Sequence, residues 1–281
     1  MQFSLDEFRN WKHKNITLLG MSGVGKTYLS GILRQHQWFH YSGDYRIGTR
    51  YLDEEILDLV KVEAMKTPFL RDLLQKDWIY IRNNIRINDL GPVLSYVGKL
   101  GNPELGGVAL ADFQQRQAKY RDAEIAAMHD IPNFIRKAHL VYGYDNFIND
   151  VGGSLCELDA PDVVDLLIEH TLILYIKTTN EDEENELIRR AQSAPTPLYY
   201  RPDFLQDQLD EYLQENNLQY AAEMDPDEFT RWIFPRLFHA RIPRYEAIAQ
   251  PHGYTVTSQE VAEVRDEKDF LQLLELAIDR K

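Results

Sequence analysis

Residues 18–30 read LLGMSGVGKTYLS. An apolar run from Ile16 to Leu19 stops at Gly20, and helix formers resume after Thr27. That order is a buried strand, a glycine-rich loop and an amphipathic helix. Gly20 to Thr27 satisfies G-x-x-x-x-G-K-[ST]. The glycines let successive backbone N–H groups point inward, and the helix N-terminus adds partial positive charge. Such a cradle suits a phosphate chain. Gly20, Ser22, Gly23, Val24, Gly25, Lys26, Thr27 and Tyr28 are therefore candidate contacts to a nucleotide, with ATP expected. Lys26 has the reach for the β- and γ-phosphates, and Thr27 offers a hydroxyl to Mg²⁺.

Outward from this loop, strand and helix patterns alternate. Trp38-Phe39-His40-Tyr41 is strand-like and ends in Ser42-Gly43-Asp44. Asn146-Phe147-Ile148-Asn149 is a strand leading to Asp150-Val151-Gly152-Gly153. Leu172 to Ile176 is a clear buried strand, and Tyr254 to Thr257 is a last one. Helical spacing separates them, which predicts a parallel sheet covered on both faces. The expected class is α/β: a three-layer P-loop NTPase fold with five parallel strands and a helical insertion after the second. Residues 1–50 and 135–281 would form the core. Residues 51–134 would form the insertion, an acceptor-binding or lid region whose Phe69, Trp78, Tyr80 and Tyr96 are either pocket-lining or core. Helices are expected at Leu52–Met65, Leu110–Met128 and from Pro226, where Asp225 caps and the proline takes the first helical position.

Composition narrows the function. The 281 residues carry a formal charge of −14, which disfavours nucleic acid and anionic membrane surfaces as partners. The start, MQFSLDEFRNW, is acidic and lacks a long apolar run, so it does not read as a signal peptide, and a cytoplasmic location is expected. No stretch approaches the ~20 apolar residues of a membrane span. The single cysteine, Cys156, excludes a disulfide scaffold and reads as a buried thiol. The sequence leaves the oligomeric state open.

Asp150 ends a predicted strand, where an acidic residue can hold Mg²⁺ directly or through water. It can equally cap the Gly152-Gly153 bend. Several further motifs then resemble those of shikimate kinase and its relatives among P-loop small-molecule kinases. Ser42-Gly43-Asp44-Tyr45-Arg46-Ile47 resembles D-x-D-x-x-I, with Ser42 in place of the metal-associated aspartate. Tyr120-Arg121-Asp122-Ala123-Glu124 resembles F-R-x-x-E, and Gly152-Gly153 part of a G-G-G loop. Pro197-Leu198 resembles the lid's R-P-L-L, with Thr196 for the arginine. Arg241-Ile242-Pro243-Arg244-Tyr245, followed by Ala249, resembles R-x-P-L-Y-x-x-x-A. The resemblance covers roughly residues 15–50 and 118–280. The whole chain also looks like bacterial proteins labelled only as ATPases.

The resemblance implies a phosphoryl acceptor. Asp44 would orient its hydroxyl and take its proton, so Lys26, Asp44 and Asp150 form the expected catalytic set. Arg121, Gly152, Gly153 and Arg241 would hold the acceptor, two arginines implying a small anionic metabolite. Arg189 and Arg190 would be lid arginines over the nucleotide, or simply a solvated helix end. Thr27 and Asp150 would hold the metal. The expected function is ATP-dependent phosphoryl transfer to a metabolite hydroxyl. The alternative is a regulatory or partner-driven P-loop ATPase, because Asp150-Val151-Gly152-Gly153 also fits the D-x-x-G of nucleotide-sensing switches. No N-K-x-D for guanine follows the fourth strand, which ends Lys177-Thr178-Thr179-Asn180.

Overall fold

The structure is a computed structural model and describes residues 3–281; Met1 and Gln2 of the acidic start lie outside them. Five short strands form one parallel sheet: β1 (Asn15–Leu19), β2 (Trp38–Ser42), β3 (Asn146–Asp150), β4 (Leu172–Lys177) and β5 (Gly253–Thr257), in the order β2-β3-β1-β4-β5. β1, which feeds the glycine loop, is central, between β3 and β4. Its residues Ile16 to Leu19 are fully buried, as expected of a strand covered by helices on both faces. β2 pairs in register with β3, so Ser42 lies opposite Asp150 at the ends of both strands. The chain is thus an α/β protein in which the loops carrying Gly20, Asp44 and Asp150 gather at the carboxyl edge of the sheet.

Residues 51–134 are mostly helical, with helices at Asp53–Lys66, Pro68–Gln75, Gly91–Val97 and Leu110–His129. They do not stand apart. Leu52, Ile56, Val93, Tyr96, Ala123 and Met128 join the same apolar core as the strands. The aromatic residues divide: Tyr96 is core, whereas Phe69, Trp78 and Tyr80 are about 70–80% exposed and are neither core nor pocket wall (71%, 68% and 78%). The Pro68–Gln75 helix buries none of its residues. A second core joins Leu100 and Phe113 to Tyr200, Leu205, Leu209, Met224, Phe229 and Ile233.

The motif around Arg241 lies inside one helix, Pro226–His252, which runs through Pro235, Pro243 and Pro251. An interior proline costs a helix about 3 kcal/mol. The buried stripe at Phe229, Ile233, Leu237, Arg241, Tyr245 and Ala249 repeats every fourth residue, and packing along that stripe offsets the loss. Asp225 caps this helix as its sequence predicts, accepting from the N–H groups of Asp227 and Glu228.

Candidate active site

The glycine loop folds as its residue types require. Gly25 takes φ +104° immediately before the Lys26–Leu33 helix, a conformation that disfavours any side chain. Lys26 is buried, and its Nζ donates to the carbonyls of Gly20 (2.8 Å) and Met21 (2.9 Å). Thr27 Oγ1 donates to Asp150 Oδ2 at 2.9 Å. His40 Nε2 lies 3.8 Å from the same oxygen. Ser22, Gly23, Gly25, Lys26, Thr27 and Tyr28 line a cleft of about 250 Å³ together with Asp44, Asp150, Val151 and Gly153. Gly20 and Val24 shape the loop from beneath: Val24 is buried, and a Cβ on Gly20 would press to 2.4 Å from the Ile176 carbonyl oxygen.

Asp44 enters the cleft on a single helical turn, Gly43–Arg46, capped by Ser42, whose hydroxyl accepts from the Tyr45 N–H. Ser42 therefore orients the turn that carries Asp44. Burial, reinforced by the charge of Asp150, raises the Asp44 carboxyl to about 6, with Lys26 opposing. Burial also pulls the Lys26 ammonium below its ordinary value, against the upward pull of Asp150 and Asp44.

Behind Asp44 stands the Leu110–His129 helix. Tyr120 Oη reaches Asp44 Oδ1 at 3.5 Å. Glu124 is fully buried; its Oε2 accepts from Ser154 Oγ at 2.6 Å, and its Oε1 has no partner. Burial raises the Glu124 carboxyl to about 8; the Ser154 bond opposes this and the Asp44 charge adds to it. Gly152 fits between the two acids. A Cβ there would stand 2.8 Å from Asp44 Oδ1 and 2.9 Å from Glu124 Oε1.

Arg241 is buried beside this pair. Its Nη2 donates to the Tyr199 carbonyl at 2.8 Å, a Cβ on Gly153 would stand 3.9 Å from its Nη1, and its Nε is unpartnered. Tyr245 Oη donates to the Gly153 carbonyl at 2.5 Å, and Arg244 Nε to that of Cys156 at 2.7 Å. The Arg241–Tyr245 motif thus clamps the loop that follows Asp150. Cys156 is buried, and desolvation pushes its thiol up to about 12, which leaves no thiolate at neutral pH.

Two expected contributors lie elsewhere. Arg121 turns away from Asp44: its Nε donates to the Leu158 carbonyl at 2.8 Å, and it lines a separate cavity of about 500 Å³ with Gln117, Glu157, Tyr199 and Tyr200. Leu187 reaches the loop at Gly23, so the Glu181–Ser193 helix flanks the cleft. Arg189 and Arg190 nevertheless point to solvent from that helix, and Arg189 pairs with Glu186. Neither lines the cleft.

Tyr120 and Glu124, quoted from the sequence only as the ends of one motif, and His40, quoted only as part of a strand, join the site without the sequence having assigned them a role. The signal for Glu124 was available: it is a lone acid in the stripe Phe113, Gln117, Tyr120, Glu124, Ala127, which is buried throughout. An acid at a core-facing helical position is a site candidate.

A strand–loop–helix with G-x-x-x-x-G-K-[ST] at the carboxyl edge of a five-stranded parallel sheet defines the P-loop NTPase class of α/β proteins. Structural similarity extends over nearly the full chain to two shikimate kinases. One is from Bacteroides thetaiotaomicron, with 16% identity, TM-score 0.41 and 95% of each chain covered. The other is from Acinetobacter baumannii in complex with shikimate, with 14% identity, TM-score 0.40 and 99% of each chain covered. No family model and no curated protein matches the sequence.

Proposed function

We propose that this chain is an ATP-dependent kinase that passes the γ-phosphoryl group to a hydroxyl of a small anionic metabolite. The observation that carries this reading is the position of Asp44. It lines the same cleft as Lys26, Thr27 and Asp150, with a carboxyl raised to about 6. Asp44 is thereby placed to accept the proton of a hydroxyl that attacks a phosphate held by the loop.

The chemistry is phosphoryl transfer. The acceptor hydroxyl oxygen bonds to the γ-phosphorus, the bond to the β–γ bridging oxygen breaks, and the hydroxyl proton passes to Asp44. ADP leaves with the bridging oxygen. Lys26, with the loop N–H groups, neutralises charge on the transferring group; one such preorganised contact is worth roughly 3–4 kcal/mol in the transition state. Thr27 Oγ1 and Asp150 Oδ2 are hard oxygen donors already in contact, which fits Mg²⁺. They would hold that cation, which supplies charge neutralisation on the phosphates.

The acceptor side is built from the insertion and the Pro226–His252 helix. Glu124, with its carboxyl at about 8, carries its proton at neutral pH and presents an unpartnered Oε1. Arg241 presents an unpartnered Nε. Two buried hydrogen-bond donors favour a carboxylate or phosphate on the acceptor. Gly152 and Gly153 keep the floor open. Arg121 supports this wall from behind through the Leu158 carbonyl, and Arg189 and Arg190 are spectators in this arrangement. The direct experiment is a metabolite-pool screen with labelled ATP. A phosphorylated species formed by the protein and absent with Lys26→Ala supports a kinase; none, with phosphate as the sole product, supports the second reading.

That second reading is a partner-driven ATPase. It is favoured by the bond from Thr27 to Asp150 together with the anchoring of Gly153 by Tyr245. These couple the loop's hydroxyl to a D-x-x-G segment.

A further inference from the structure

His40 sits on β2 two residues before Ser42, the residue paired in register with Asp150. Side chains two apart on a strand share a face, so the imidazole and the Asp150 carboxylate emerge on the same side. The His40 side chain is only 4% exposed, and neither ring nitrogen has a hydrogen-bond partner. A buried polar group left unpaired destabilises a fold by about 1–3 kcal/mol, and an ion is one reason such a group persists. The 3.8 Å from Nε2 to Asp150 Oδ2 is too long for a hydrogen bond. It falls within the spacing of two ligands on one cation, about 3.0 Å at right angles to about 4.2 Å across, for bonds of about 2.1 Å. Thr27 Oγ1, 2.9 Å from the same oxygen, matches the right-angle end.

We propose that His40 Nε2 is a third protein ligand, beside Thr27 Oγ1 and Asp150 Oδ2, to the divalent cation of the nucleotide, and that it makes the site prefer first-row transition-metal ions to Mg²⁺. The inference rests on the P-loop reading above. An imidazole nitrogen is softer than hydroxyl or carboxylate oxygen and suits transition metals, whereas all-oxygen sets suit Mg²⁺. Ser42 gives β2 no carboxylate at this edge; His40 supplies a donor one pleat earlier. Among the described residues no three His, Cys, Asp or Glu side chains converge on a metal. The remaining ligands are then phosphate oxygens and water, and the ion binds tightly only with nucleotide.

Mn²⁺ with ADP is the probe. Pulsed EPR of Mn²⁺·ADP on the full chain is expected to show imidazole ¹⁴N modulation, lost in His40→Gln and in the ring-filling His40→Phe. Calorimetry is expected to show the preference for Mn²⁺·ADP over Mg²⁺·ADP falling at least about tenfold in His40→Gln. Bound Mn²⁺·ADP without nitrogen modulation in the unmodified protein overturns the role of His40 and leaves the P-loop reading standing. No nucleotide-dependent Mn²⁺ binding at all overturns both. The unmodified protein alone decides, so a variant that fails to fold does not rescue the proposal.

Discussion

Asp44 and Glu124 approach Gly152 from two sides, one carboxylate oxygen of each standing within 3 Å of where a Cβ would be (2.8 and 2.9 Å). Burial raises both carboxyls, reinforced at Asp44 by the charge of Asp150 and at Glu124 by that of Asp44. The relationship joins the sheet edge to the inserted Leu110–His129 helix. On the proposed kinase reading it would give the glycine-loop cleft an acceptor side.

Gly152→Ala places a methyl group between the two acids. Overpacking of this kind costs about 1–3 kcal/mol of stability. Phosphoryl transfer is expected to fall by roughly a hundredfold, since misplacement by about 1 Å has that effect. ADP affinity stays near its original value because the phosphate loop is untouched. Calorimetric ADP binding measured beside the transfer rate checks both halves.

The pH profile follows from the two carboxyls. Asp44 must be ionised to accept a proton, so the transfer rate rises as pH increases through about 6. Glu124 donates only while protonated, so the rate declines as pH passes about 8. A bell-shaped kcat/KM profile between pH 5 and 9 is expected. Glu124→Gln keeps a donor that does not titrate and should flatten the alkaline limb alone.

Glu124 also links folding to pH. Its carboxyl is raised in the folded protein above its ordinary 4.5, so the folded state holds a proton that the unfolded chain releases. Stability from this group is therefore full below about 4.5 and is lost progressively as pH rises to about 8. Relative to Glu124→Gln, the unmodified protein should lose a few kcal/mol over that range. Thermal unfolding of both proteins at pH 5 and pH 8.5 measures it.

Arg241 and Arg121 should separate cleanly. Arg241→Lys keeps charge but loses the fork and the Tyr199 carbonyl contact, and acceptor kcat/KM is expected to drop about 10²-fold or more. Arg121→Ala removes the Leu158 contact, which is half-exposed and lies in another cavity. A change below about fivefold is expected, read from acceptor KM at saturating ATP.

The same pair shows what the sequence could convey. Tyr120, Arg121 and Glu124 sit in one short motif, but consecutive helical residues point about 100° apart. Spacing of three to four places Tyr120 and Glu124 on the Asp44 side, and that rotation carries Arg121 away. A motif match fixes order and not rotation. The phosphate loop and the strand Leu172–Lys177 were legible because local pattern alone dictates them. The Pro226–His252 helix was harder to read whole, because prolines that end helices locally are overridden by a stripe buried along its entire length. Phe69, Trp78 and Tyr80 were undecided because apolar character does not reveal whether a neighbouring element covers it. His40 carried no local signal, since its partner Asp150 lies more than a hundred residues on.

The most direct measurement follows labelled γ-phosphate from ATP into a metabolite pool, with the unmodified protein and with Asp44→Asn, whose carboxamide cannot take the proton. The expected result is a phosphorylated metabolite formed by the first and reduced 10²-fold or more with the second, while both bind ADP equally. Release of inorganic phosphate alone, at the same rate from both proteins, would contradict a phosphoryl acceptor at Asp44.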